Sequence, residues 1–219
     1  TARMISASHD SFLLVGQRYD MGITEPMEFS DKDAEQFHQM VKSTGKLHPR
    51  GGSDYFIFPE KCFQIIPDFA IGRAGWDNWM IYKARLEGWP VIDATKSITI
   101  VHQDHEYRHL PGGQSHYRLP ETYENVRLAG GNRTILNLDD ADYQIIDGDV
   151  RKNSFSMQRF KRELEVFPLL KLRSPFLANL AFALFHPGKA YNELRQWMRT
   201  RSQRKNDDNI NHKQGIGDK

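Results

Sequence analysis

Short apolar runs of strand length alternate with longer helical stretches from Ser11 to Ala129. A chain ordered in this way folds as a layered α/β domain. Ser11 to Arg18 (SFLLVGQR) ends in the turn-prone YDMG and reads as a buried strand; Asp54 to Pro59, Pro90 to Ala94 and Ser97 to Gln103 read as further strands. One helix is predicted over residues 31–43, capped by Ser30 or Asp31 and striped by Phe37, Met40 and Val41. A second runs from Trp76 to Glu87, where Gly88 stops it, and a third from Pro120 to Ala129, ended by Gly130-Gly131. Thr134 to Leu138 and Tyr143 to Ile146 are expected to pair as a small hairpin. Beyond it, Phe155 to Val166, Pro175 to Phe185 and Lys189 to Arg201 read as helices punctuated by Pro168, Pro175 and Pro187-Gly188.

Charge divides the chain. Residues 1–150 carry 15 Lys and Arg against 22 Asp and Glu, whereas residues 151–219 carry 15 against 6. The expected organisation is therefore an acidic body over 1–150, a basic helical extension over 151–201 and a polar, disordered tail over 202–219. The single cysteine, Cys62, cannot form an internal disulfide, which suits a cytoplasmic setting. The longest apolar stretch, Phe176 to Phe185, falls far short of the ~20 residues of a spanning helix. Leu169, Leu170, Leu172, Phe176, Leu177, Leu180 and Phe182 lie beside Arg162, Lys171 and Arg173. That pattern suits either peripheral contact with an anionic membrane or ordinary packing on the domain. The cationic stretch Arg195 to Lys205 is too unspecific to imply a particular nucleic acid.

Two constellations carry chemistry. Gly75-Trp76-Asp77-Asn78-Trp79 places a carboxylate at a helix start, where it serves either as a cap or as a reactive group, between indoles that suit sugar rings or core packing. Val101-His102-Gln103-Asp104-His105-Glu106-Tyr107-Arg108-His109 gathers imidazoles and carboxylates at the end of a strand, the place where open α/β sheets bind ligands. Its spacing matches no zinc-protease or finger motif, so a solvated histidine-rich loop is the competing reading.

The stretches Asp54-Tyr55-Phe56-Ile57-Phe58-Pro59, Phe69-Ala70-Ile71-Gly72-Arg73, Gly75-Trp76-Asp77-Asn78-Trp79, Val91-Ile92-Asp93-Ala94-Thr95 and Val101-His102-Gln103-Asp104-His105, in this order, resemble the acceptor-side half of family-2-like GT-A glycosyltransferases. The resemblance covers residues 11–150 and implies a partial GT-A mixed sheet with a helical C-terminal extension. It implies transfer of a sugar from a nucleotide diphosphate sugar to a saccharide or lipid-linked acceptor. Asp77 matches the base that deprotonates the acceptor hydroxyl, and Asp54, Tyr55, Trp76, Asn78 and Trp79 the acceptor side. His102 matches a ligand of the Mn²⁺ or Mg²⁺ that holds the diphosphate, with His105 a second candidate.

The sequence departs from that family at its start, because the half that carries a DxD-type motif is not there; Gly16 to Asp20 (GQRYD) resembles the segment that follows it. The expectation is a portion of a transferase whose donor half is supplied elsewhere. Two other readings compete: a non-catalytic carbohydrate- or partner-binding module on the same fold, and a metal hydrolase built on His102, Asp104 and His105.

Overall fold

The structure, a computed structural model, describes residues 5, 9–24, 31–103 and 119–199. Ser30 and the side chain of Asp31, the two expected caps, residues 104–118 with Asp104 and His105, and residues 200–219 lie outside the described residues. The fold is mixed α/β, and the chain divides into two compact units, Thr1–Glu163 and Leu164–Lys219.

In the first unit the elements are β1 (Leu13–Gly16), β2 (Tyr19–Met21), α1 (Asp31–Thr44), β3 (Lys46–Leu47), β4 (Tyr55–Ile57), α2 (Trp76–Leu86), β5 (Val91–Asp93), β6 (Val101–Gln103), α3 (Pro120–Ala129), β7 (Tyr143–Ile146) and β8 (Asp149–Lys152). One sheet has the order β4-β1-β5-β7-β8 and a smaller one β3-β2-β6. β1, β5 and β7 run parallel, with Leu14 opposite Ile92 and Ile92 opposite Tyr143. β4 and β8 close the edges antiparallel. All four residues of β1 and all three of β5 are buried, as suits the centre of a parallel sheet, with the apolar run of β5 ending at Asp93. Phe12, Leu14, Ile92, Ala94 and Ile145 form a core cluster there, against which Tyr55, Ile98 and Tyr143 pack. Of the stripe expected on α1, Val41 is buried but Met40 is exposed. Cys62 is a free, buried thiol.

The expected pairing of Thr134–Leu138 with Tyr143–Ile146 does not form. Short 3₁₀ turns at Asn132–Thr134 and Leu138–Asp140 take that place, the second held by a capping box between Asn137 and Asp140. β7 instead pairs with β8 across Asp147-Gly148, whose positive φ angles of 52° and 85° make the tight reversal. An Asp-Gly pair is the usual signal for such a turn.

The boundary also falls later than the charge change at residue 150. Arg162 grips the buried Asp140 through both carboxylate oxygens, at 2.7 and 3.0 Å, and Arg159 donates to the Ala141 carbonyl. These bonds tie the beginning of α4 (Met157–Leu170) to the first unit.

The second unit holds the rest of α4, then α5 (Pro175–Phe185), capped by the Ser174 hydroxyl, and α6 over residues 187–199. Pro168 lies within α4 instead of ending it. Val166, Leu169 and Leu170 around it are buried, and that burial outweighs the missing N–H bond. Among the described residues no helix is long and apolar enough to cross a membrane.

Candidate functional site

Asp77 sits in the first turn of α2. The cap position belongs to Gly75, at φ 107°, and makes no side-chain cap bond. The left-handed backbone there suits glycine. With the cap position taken by Gly75, the Asp77 carboxylate points at the loop between β3 and β4, where its Oδ2 accepts a long bond of 3.4 Å from the Ser53 N–H. Oδ1 is buried without a hydrogen-bond partner. Burial pushes this carboxyl above the usual carboxylate range, an effect partly offset by the N–H groups of Asn78, Ser53, Gly75 and Asp77 itself.

The framework around Asp77 is built by amides and one arginine. Buried Asn78 donates to the carbonyls of Gly51 (3.1 Å) and Leu136 (2.7 Å), pinning the β3–β4 loop and the turn before Leu138 to α2. Asn125 on α3 accepts from the Ala70 N–H at 2.8 Å and donates to the carbonyls of Ala70 and Ala74 at 3.0 and 3.2 Å, holding the segment that enters α2. Arg50 bonds Asp139 (2.6 Å), Asp93 (2.9 Å) and the Leu138 carbonyl (2.7 Å). Asp93 ends β5 and also accepts from the Thr95 hydroxyl, which in turn receives the Gln17 N–H. The ends of parallel strands β1 and β5 are thereby joined to the loop that faces Asp77.

A second cluster surrounds Asp20 on β2. Its carboxylate lies 2.7 Å from Arg18 Nε, 2.7 Å from His48 Nδ1 and 3.4 Å from His102 Nδ1, while Arg18 reaches Asp54 at 2.6 Å. Burial works against the Asp20 charge, but the bonds from His48 and Arg18 win and hold its carboxyl below the ordinary range. Stability from such a group is present above the unfolded pKa and lost as pH falls through the folded one. Asp20→Asn is therefore expected to cost about 2 kcal/mol at pH 7, the scale of a charge-assisted bond, and progressively less below about pH 4. Urea unfolding of both proteins across that range measures it.

Sequence reasoning singled out Asp54, Asp77, Asn78 and His102, and the fold brings Asp54 and His102 to the Asp20 cluster and Asp77 and Asn78 to the neighbouring loop. Trp76 meets Phe56 edge-on at 5.3 Å. Trp79, only 6% exposed, packs between Phe69 and Phe63 at 5.3 and 6.2 Å, so its indole offers no open face to a ligand. Tyr55 is half-buried and packs against the core cluster. Its hydroxyl is buried without a partner, and burial together with the charge of Asp93 pushes it well above its ordinary range. Tyr55 fits there because Gly16 has no Cβ; one would stand 2.8 Å from the tyrosine Cζ and 2.9 Å from the Thr95 amide.

Arg18, Asp20, His48, Arg50, Asp93 and Asn125 were given no role in the site. The signal for three of them was present: a charged residue directly after an apolar strand run, as in LLVGQRYD and VID, stands at a strand end. Among the described residues no three His, Cys, Asp or Glu side chains converge as metal ligands. Asp20, which lies 3.4 Å from His102, is already engaged by Arg18 and His48, so these residues alone do not form a seat for Mn²⁺ or Mg²⁺.

These features define a mixed α/β protein with polar clusters gathered around the ends of parallel strands. No protein-family model, curated protein or solved structure matches the chain.

Proposed function

We propose that this chain is the acceptor-side portion of a GT-A-type glycosyltransferase, acting on a saccharide or lipid-linked acceptor with a nucleotide diphosphate sugar as donor. The observation that carries the reading is Asp77: a carboxylate at a helix start whose Oδ1 is buried and unpartnered and whose proton affinity is raised. Folds rarely leave such an oxygen unsatisfied without a use for it. A raised carboxyl pKa improves a general base working near neutrality.

In this reading Asp77 accepts the proton of the acceptor hydroxyl as its oxygen attacks the anomeric carbon and the C–O bond to the diphosphate breaks. Asn78 and Asn125 are positioning residues that hold the loop and the helix entrance around that carboxylate. Trp76 serves as the aromatic contact for the acceptor, a role the buried Trp79 does not share. Asp54, tied to Arg18, borders the same loop. His102 and His105 are the ligands the resemblance implies for a metal ion, which would neutralise charge on the leaving diphosphate.

Isothermal titration with UDP and GDP, each with and without Mn²⁺, tests the donor side. Metal-dependent binding by the full chain, followed by transfer in a sugar-nucleotide screen, is the expected result if the chain holds a working donor site. A folded chain that binds neither nucleotide, and that yields no transfer when a separate GT-A donor half is added, overturns the reading.

A further inference from the structure

In the second unit, α5 has the sequence PFLANLAFALF, in which Asn179 is the one polar side chain. A water-soluble helix of this kind normally turns its apolar stripe inward. Here Phe176, Leu180 and Leu184, spaced four apart on one face, are 76%, 60% and 77% exposed. On α6, Tyr191, Leu194 and Met198 repeat the pattern at spacings of three and four, and Leu172 in the turn before α5 is exposed as well. Isolated exposed apolar residues need no explanation, but rows of them on successive helices do.

The charges of the same unit bear on what would cover these rows. Residues 164–199 contain five Lys and Arg (Lys171, Arg173, Lys189, Arg195 and Arg199), all exposed, against Glu165 and Glu193. Glu165 is bonded to His186 at 3.0 Å. The unit thus presents apolar side chains among basic ones. A second copy would set like charges against each other. Residues 200–219 offer only Ile210 and Ile216 as large apolar groups, too few to cover three exposed stripe residues on each helix.

We propose that residues 164–199 dock on an anionic lipid surface. α5 and α6 lie in the plane of the interface: α5 is eleven residues long, well short of the ~20 that span a bilayer. Phe176, Leu180 and Leu184 enter the boundary of the acyl chains, and Lys171, Arg173, Lys189, Arg195 and Arg199 meet the phosphate headgroups. The inference stands apart from the transferase reading, because it uses none of the residues around Asp77.

Sedimentation of the full chain with phosphatidylcholine vesicles, with and without about one third phosphatidylglycerol, tests it. The expected result is partition onto the anionic vesicles with a blue shift of the Trp197 emission, the shift being absent from Trp197→Phe. Replacing Phe176, Leu180 and Leu184 together by Ser should lower the partition coefficient on the order of 100-fold. Arg195→Gln with Arg199→Gln should lower it by about fivefold per residue. All three serines stand at exposed positions, so circular dichroism should show the fold retained; if it does not, the arginine variants decide. Three outcomes overturn the proposal: no binding to anionic vesicles, binding indifferent to the serine triple variant, or a concentration-dependent dimer that the triple variant abolishes while vesicle binding persists.

Discussion

Asp77→Asn is expected to lower sugar transfer on the order of 10³-fold while leaving nucleotide affinity unchanged, the mark of a lost general base. The same substitution should make the protein more stable. A carboxyl whose folded pKa is raised binds its proton more tightly in the folded chain than in the unfolded one, so its contribution is favourable at low pH and is lost as pH rises through the folded pKa. At pH 7 the charged group is a burden that Asn removes. A gain of about 1 kcal/mol, or a rise of roughly 2–4 °C in melting temperature for a chain of this size, is expected at pH 7 and should vanish near pH 4. Thermal melts at the two pH values beside a transfer assay give both readings. A lowered melting temperature with transfer intact would assign Asp77 to fastening the β3–β4 loop, and the catalytic role would fall.

Asn125→Ala should produce the largest loss of stability, about 3–4 kcal/mol. Its amide is fully buried and serves the N–H and carbonyl of Ala70 and the carbonyl of Ala74, so truncation strands three backbone groups of the segment entering α2. For a chain of this length the melting temperature should fall by roughly 8–14 °C. Because that segment leads to Gly75 and Asp77, transfer should fall even at temperatures where the variant is folded. Differential scanning calorimetry measures the first effect; a shift below about 2 °C would show that the loop is held by something other than this side chain.

The order of strands and helices was legible because it depends on local pattern. β1 is a run of Leu13-Leu14-Val15, α2 starts after a glycine and α3 spans the residues expected of it, Pro120 to Ala129. The hairpin was misplaced because Thr134–Leu138 has strand-like composition, whereas Gly131 and the Asn137–Asp140 capping box wind it into turns. Pro168 misled for a similar reason: a local rule against proline in helices yields to burial of Leu169 and Leu170.

The site was legible in part. Asp77 and His102 stand out by their immediate neighbours in sequence. His48 and Arg50, in contrast, reach their partners across the fold, over 28 residues to Asp20 and 43 to Asp93, and no short-range pattern announces such pairs. Trp79 shows the reverse. Its neighbours suggest a sugar platform, and only the positions of Phe63 and Phe69 reveal it as core.

The close passage of Tyr55 over Gly16 makes these two positions heritable as one. An alanine at 16 collides with the tyrosine ring and with the Thr95 backbone, and the second obstacle cannot rotate aside. Shrinking Tyr55 relieves only half of the conflict and leaves a hollow beside β1. Position 16 in this fold thus has room for glycine alone, and a replacement at 55 has to fill the same space.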